Sequence, residues 1–187
     1  DKEDHPEGIW NLYKDCEFTA TPDLPLNPLQ INSAPGGAGE KRKDLLRGYY
    51  TAVTAMDRGI GALLDQLEEN GLRKNTLVIF TSDNGMHMGH HGVGGKGNAT
   101  FPQNLWDTSV KVPAIFSQPG TLPENTTCES MLSHYDVFPT LLDLFGISNN
   151  EENLPGSSFA DYLRGAEEPN NQDVIIYDEY GPVRMIR

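Results

Sequence analysis

The sequence has few cysteines, few basic residues and no long apolar run, and each shortage excludes a class of protein. Two cysteines in 187 residues do not make a disulfide-stapled scaffold, and we expect them to be buried thiols. Fourteen basic residues face 27 acidic ones, a net charge of −13, so most of the surface would repel a nucleic acid. No stretch approaches the roughly 18 apolar residues of a membrane helix. We therefore expect a globular protein that binds neither nucleic acid nor membrane.

The length suits one domain with a real core and is too short for two full ones. Residues 1–37 are polar and proline-rich, which indicates an irregular segment with one helical turn near Trp10. Residues 38–148 carry the helix and strand patterns of a core. Residues 149–187 begin a further C-terminal segment.

The most informative stretch is residues 76–96. Residues 77–81 form an apolar run with β-branched and aromatic side chains, typical of a strand buried on both faces of a parallel sheet. Asp83 and Asn84 follow almost at once, at the strand end where open α/β sheets bind ligands. Residues 85–99 then contain six glycines, three histidines and Lys96. Such a loop can bend close to a small anion.

Asp83 and Asn84 offer hard oxygen ligands of the kind that Ca²⁺ or Mg²⁺ takes, and Lys96 offers a compact positive charge for an oxyanion. The alternative is a plain surface turn, because Asp-Asn-Gly is also a common turn sequence. The residues after Gly85 do not alternate like a strand, which weakens a hairpin interpretation. Composition alone leaves both alternatives open.

Periodicity predicts the elements around this stretch. Apolar residues recur every three or four positions from Lys41 to Asn70, which predicts an amphipathic helix that Gly71 ends. We further predict a strand over 110–117, a helix from about Tyr135 to Gly146, a short helix over 158–163, and a strand over 174–177.

Several motifs occur in one order along most of the chain, and together they resemble the second half of a sulfatase catalytic domain, of the arylsulfatase and choline-sulfatase kind, in the alkaline-phosphatase-like superfamily. The motifs are Phe80-Thr81-Ser82-Asp83-Asn84-Gly85, Gly89-His90-His91-Gly92, Gly95-Lys96-Gly97 and Val110-Lys111-Val112-Pro113. The resemblance implies an α/β fold: an alkaline-phosphatase-like three-layer sandwich with a largely parallel sheet, of which this chain is a partial domain.

The resemblance also implies roles for individual residues. Asp83 and Asn84 would be calcium ligands, with magnesium as the other candidate, and Lys96, thirteen residues after Asp83, would contact the substrate sulfate. His91 would lie near the substrate. His87 and His90 are interpreted as loop residues, since no neighbouring Cys or Glu completes a tetrahedral zinc site with them.

The implied function is hydrolysis of a sulfuric ester, on a sulfated small molecule or a sulfated glycan. The family's nucleophile is a formylglycine made from Cys or Ser in a Cys/Ser-x-Pro/Ala-x-Arg motif, and the residues after Cys16 and Cys128 do not fit that motif. We therefore expect a fragment of an enzyme, inactive alone. The alternatives are a phosphodiesterase or phosphonate monoester hydrolase of the same superfamily, and a non-catalytic fragment.

Other polar residues are interpreted as structural. His5 is expected to serve its loop, Gln103 and Asn104 to satisfy loop backbone, and Lys111 to face solvent, with contact to the substrate as the alternative for each. The segment His134-Tyr135-Asp136 is expected to begin a helix. The glycosylation sequons at Asn98 and Asn125 are interpreted as chance matches.

Overall fold

A computed structural model of the chain describes residues 5–31, 39–148, 153–167, 169, 173–178 and 181–187. The helices are α1 (Glu7–Trp10), α2 (Glu40–Glu69), α3 (Asp107–Val110), α4 (His134–Leu144) and α5 (Ala160–Leu163). The strands are β1 (Val78–Thr81), β2 (His87–Met88), β3 (Gly94–Gly95), β4 (Ala114–Ser117), β5 (Ile175–Tyr177) and β6 (Arg184–Ile186). Single 3₁₀ turns lie at Asn11–Tyr13, Arg73–Asn75, His90–Gly92 and Gly97–Ala99. None of the described helices combines the length and apolar character needed to cross a bilayer.

The described strands form three two-stranded sheets, in the pairs β1 with β4, β2 with β3, and β5 with β6. The last two pairs are antiparallel. The largely parallel sheet that the resemblance implies is not seen in the described part of the chain. The run at β1 is also not buried on both faces, because its first three residues are half-buried and Thr81 is exposed. Burial on both faces needs neighbouring strands and covering helices, and among described residues β1 has β4 as its strand partner.

The chain divides into two compact units. The first comprises the described residues of Asp1–Leu72, Phe80–Ile115 and Asp178–Val183. Its buried core joins Phe18, Leu46 of α2 and Met88 of β2, with Tyr13 and Tyr50 packed against them. Because Met88 belongs to this core, the histidine-rich loop around it is tied to α2.

Helix α2 confirms the predicted amphipathic helix to within one residue at each end. Gly71 follows with a φ of +66°, the left-handed conformation expected after a helix. The charged residues Arg58, Glu68 and Glu69 are exposed as predicted. The apolar face is covered only in part, since Leu45 and Leu63 remain 45% and 68% exposed.

The N-terminal segment is more ordered than the sequence indicated. Its helical turn near Trp10 is confirmed by α1 and the 3₁₀ turn that follows. The His5 ring stacks on Trp10 at 5.5 Å, and the Arg47 guanidinium lies 4.5 Å from the centre of the Trp10 ring. Residues 32–37 of the predicted irregular segment lie outside the described residues.

The second unit comprises the described residues of Arg73–Ile79, Phe116–Tyr177 and Arg184–Arg187. Helix α4 begins in a capping box, in which Ser133 accepts from Tyr135 N and Asp136 accepts from Ser133 N at 2.7 Å. Asp136 also accepts from Ser157 N at 2.8 Å. The interpretation of this segment as structural is therefore confirmed, and Gly146 ends the helix with a φ of +64°.

Two local predictions need correction. The strand predicted over 110–117 begins only at Ala114, because residues 107–110 form a helical turn that an ion pair between Lys111 and Asp107 closes at 3.1 Å. Lys111 is exposed, as expected. The cysteines are not buried, since Cys16 is exposed and Cys128 half-buried, and no disulfide joins them.

Candidate metal and substrate site

Asp83 and Asn84 lie in a tight turn directly after β1. The Ser82 hydroxyl donates to the backbone carbonyl of Asn84 at 2.9 Å, which fixes the turn. The Asp83 side chain is 81% exposed, and Asn84 is half-buried. Gly85 then donates its N–H to Ser109 O at 2.9 Å, and a Cβ on Gly85 would lie 2.2 Å from Thr108 O, so no larger residue fits there.

Lys96 returns to the end of β1 through the small sheet of β2 and β3. In that sheet His87 pairs with Gly95 and Met88 with Gly94, which reverses the chain just before Lys96. The Lys96 ammonium lies 3.8 Å from a carboxylate oxygen of Asp83. Two of the predicted site residues therefore meet, although twelve residues separate them in sequence.

His91 occupies a strained backbone conformation. Its φ of +57° and ψ of +18° lie in the left-handed region, which residues with a Cβ rarely adopt. The imidazole ring lies 4.5 Å from the ring of Trp106 at an angle of 31°, and the residue is exposed. Strain of this kind persists only where surrounding structure enforces it, and it occurs often at functional sites.

His87 is the residue that the sequence interpretation underrated. It is completely buried, and Nε2 lies 2.6 Å from Ser109 Oγ and 3.2 Å from Asn104 Oδ1, while Nδ1 lies 2.9 Å from Thr108 Oγ1. Burial lowers the pKa of His87, as do the neighbouring His91 and His90, against the opposing effect of hydrogen bonds to Asn104 and to the His90 backbone. A structural role for this histidine, rather than a metal-binding one, follows from these partners.

Asn104 links the His87 network to the residue after Lys96. Its side-chain amide donates to Gly97 O at 3.1 Å and to Thr100 Oγ1 at 3.0 Å, and its backbone N–H also donates to Gly97 O at 3.0 Å. The expectation that Asn104 satisfies loop backbone is confirmed. The backbone next to Lys96 is thereby held in place from the buried side of the loop.

A second support comes from residues 21–31, which we call the strap. At its start, the buried guanidinium of Arg42 donates to Thr21 O at 3.0 Å and Pro22 O at 2.9 Å and lies 3.3 Å from an Asp23 carboxylate oxygen. At its end, Gln30 forms a β-bridge with Thr100. The strap is thus anchored on α2 and on the segment that follows Lys96.

The strap approaches the histidine-rich loop so closely that only glycine fits at two positions. A Cβ on Gly89 would lie 2.2 Å from Pro22 O, and one on Gly92 would lie 2.0 Å from Pro25 O. Both glycines also have positive φ, +105° and +68°. The proline and polar residues of the strap have no periodicity and so do not predict this packing. The spacing of the glycines in the loop does carry a signal for it.

The side chains of Asp83 and Asn84 form the candidate donor set for a divalent cation. Carboxylate and amide oxygens from Asp83 and Asn84 suit Ca²⁺ or Mg²⁺, but Ca²⁺ takes about six to eight oxygens. Among the described residues, no group of three or more His, Cys, Asp or Glu side chains could hold a metal ion. Asp83 and Asn84 therefore fit such a site only as part of its ligand set.

Comparison with known proteins covers most of the chain. The sulfatase family model matches residues 11–147. The ulvan-active sulfatase of Formosa agariphila is 30% identical over 167 residues, 88% of this chain and 30% of that protein. The choline-sulfatase of Rhizobium meliloti is 29% identical over 196 residues, 96% of this chain and 36% of that protein.

A solved structure gives the same result for the fold. A candidate sulfatase from Bacteroides fragilis superimposes with a TM-score of 0.73 at 25% identity, over 94% of this chain and 36% of that one. The chain thus spans about a third of the length of the proteins that it matches.

Proposed function

The chain belongs to the sulfatase family, and we propose that the intact protein containing it hydrolyses a sulfuric ester. The observation that carries the proposal is the meeting of Lys96 and Asp83 at 3.8 Å beside the end of β1. An ammonium group and a hard oxygen ligand at one point can serve a tetrahedral anion and a divalent cation together.

In this proposal, Asp83 and Asn84 hold part of the coordination sphere of Ca²⁺, with Mg²⁺ as the other candidate. When bound, the ion supplies Lewis-acid chemistry and orients the substrate. Lys96 places its positive charge against the sulfate oxygens and stabilises the charge that develops during transfer. His91 lies beside the substrate, with its ring fixed against Trp106. A formylglycine nucleophile would come from a region outside this chain.

Local charge makes these residues necessary. With a net charge of −13, the chain as a whole repels a sulfated substrate, so attraction must come from the cation and from Lys96. We propose a sulfated small molecule or a sulfated glycan as substrate, a range that the names of two relatives, ulvan-active sulfatase and choline-sulfatase, support. The 187-residue chain alone would show no turnover, since the residues around Cys16 and Cys128 do not form the nucleophile motif.

The test compares two substrates on the intact protein with calcium present. We expect an aryl sulfate to be hydrolysed with the higher kcat/KM. A clear preference for an aryl phosphodiester would favour the related phosphodiesterases and overturn the proposal, because the same two ligands and lysine could serve either ester. Absence of a Cys/Ser-x-Pro/Ala-x-Arg motif from the sequence preceding Asp1 would favour a non-catalytic protein.

A further inference from the structure

The strap contacts the histidine-rich loop of the candidate site at His91 through the side chain of Asn27. Its amide nitrogen donates to the backbone carbonyl of His91 at 3.0 Å. Its backbone N–H donates to Gly92 O at 2.9 Å, and its side-chain oxygen accepts from Leu29 N at 2.9 Å. Asn27 is itself held by the strap, and it binds two consecutive carbonyls of the loop.

The first of these carbonyls belongs to the strained residue. The left-handed conformation of His91 is unfavourable by about 1 kcal/mol or more for a residue with a Cβ, so contacts must hold it. Asn27 binds the His91 carbonyl, and the Trp106 ring packs against the imidazole. Together, these two contacts hold the backbone and the ring of His91.

Gln30 binds the same loop in a similar way at Gly94, two residues beyond Gly92. Its side-chain amide donates to Gly94 O at 3.0 Å, and its side-chain oxygen accepts from Gly94 N at 3.2 Å. A primary amide that binds both backbone groups of one residue imitates a strand partner. Since Gly94 lies two residues before Lys96, Gln30 holds the start of the segment that presents the lysine.

We propose that Asn27 is a positioning residue for the candidate site: by binding the carbonyls of His91 and Gly92, it keeps the His91 backbone in its left-handed conformation and so directs the imidazole toward the substrate. The inference rests on the proposed function, because His91 is placed beside the substrate there. Gln30 supports the same loop from its other end. Neither residue touches substrate in this scheme, and both act through the loop.

Two variants of the intact protein separate this role from others. Asn27→Asp removes the donor to His91 O and keeps an oxygen that can accept from Leu29 N, whereas Asn27→Ala removes both groups. Asn70→Asp is the matched control, because Asn70 Nδ2 also donates to a backbone carbonyl, that of Gln66, at 2.7 Å. Asn70 lies at the end of α2, outside the candidate site.

Both Asn27 variants should lower kcat/KM for an aryl sulfate by about tenfold or more, since a displacement of about 1 Å can reduce a rate a hundredfold. The kcat/KM of Asn70→Asp should stay within about twofold of the wild-type value, because this change lies outside the candidate site and should displace none of its residues. A merely structural role would lower the melting temperature and leave kcat and KM of the folded enzyme unchanged, and that result would overturn the proposal. A loss with aspartate alone would also overturn it, because charge repulsion of the sulfate would then be the cause.

Amide hydrogen exchange supplies a readout that needs no turnover. Exchange in residues 89–95 should be faster in Asn27→Ala than in the wild type and in Asn70→Asp. If the wild type hydrolyses no sulfuric ester, the proposed function fails, and faster exchange would still support the backbone-holding part of the inference. Unchanged exchange in this segment would overturn it whatever the activity.

Discussion

The Lys96 ammonium lies 3.8 Å from the Asp83 carboxylate, at the point where β1 ends. The two side chains are 55% and 81% exposed, and exposed pairs of this kind stabilise a protein by about 0–1 kcal/mol. Stability therefore does not explain the convergence of a Gly-rich loop on this turn. In the proposed site, placement of charge for a ligand would explain it, and Gly85, Gly89 and Gly92 allow the close backbone approaches of this loop.

Lys96→Met in the intact protein should lower kcat/KM for an aryl sulfate by about 10²–10³, the cost of losing one preorganised charge at a transition state. Lys96→Arg should recover part of the activity, because guanidinium keeps the charge but not the compact shape of the ammonium. Lys111→Met is the control, since Lys111 is an exposed lysine paired with Asp107. Activity of the Lys96→Met variant equal to that of the control would exclude the proposed role.

Asp83→Ala should weaken binding of Ca²⁺ by more than about tenfold, because even the loss of an outer-shell partner costs 10- to 100-fold in metal affinity. Calorimetric titration of the metal-stripped intact protein measures this affinity without relying on turnover. Asp107→Ala removes another exposed carboxylate, from the neighbouring α3, and should bind Ca²⁺ as the wild type does. Equal affinities in the two variants would remove Asp83 from the ligand set.

Replacement of His87 should change how stability depends on pH. Burial holds the pKa of His87 in the folded protein below the value of 6.5 in the unfolded chain. At a pH between these two values the unfolded chain binds the extra proton, so the stabilisation is complete above pH 6.5 and is lost as the pH falls through the folded pKa. Between pH 7.5 and the acid limit of folding, the melting temperature should therefore fall further in the wild type than in His87→Gln.

The His87 comparison needs a control for general acid effects. His134→Gln removes an exposed histidine at the start of α4, and its melting temperature should follow that of the wild type across the same range. Parallel curves for the wild type and His87→Gln would show that the buried imidazole does not contribute to the pH dependence.

Asp136→Ala should destabilise the protein by about 2–6 kcal/mol, because it leaves the N–H groups of Ser133 and Ser157 without their acceptor, at about 1–3 kcal/mol each. Ser133→Ala loses one capping bond and should cost about 1 kcal/mol. Urea midpoints of the two variants provide the comparison. Equal midpoints for the two variants would mean that the bond to Ser157 contributes nothing to stability. If Asp136→Ala lost activity at urea concentrations well below its unfolding transition, a catalytic role of Asp136 would be favoured.

Local signals explain what the sequence could predict. Helix α2 follows from a sustained periodicity ended by Gly71, and α4 follows from a cap at Ser133 and an end at Gly146. A motif order that resembles a family predicts Asp83 and Lys96 as site residues, and the structure brings them together. In each case the information lies in neighbouring residues or in a known spacing.

The failures concern contacts between distant segments. The burial of His87 depends on hydroxyl groups about twenty residues away, which have no pattern of their own. The packing of Asn27 on His91 joins residues 64 positions apart. The two-sided burial expected for β1 required neighbours that the described residues do not supply. Periodicity carries no information on any of these three relationships.

Gly89 and Gly92 are three residues apart, and so are the two prolines, Pro22 and Pro25, whose carbonyls they meet. The two backbones are therefore in close contact at two points that have the same three-residue spacing on each segment. If one residue were inserted or deleted between Gly89 and Gly92, or between Pro22 and Pro25, one of the two glycine–carbonyl contacts could form. At the other, the backbones would be misaligned, and a side chain would clash or the contact would be lost. The number of residues in this stretch should thus tolerate less variation than their identities, whereas an exposed loop such as 123–127 should accept insertions freely.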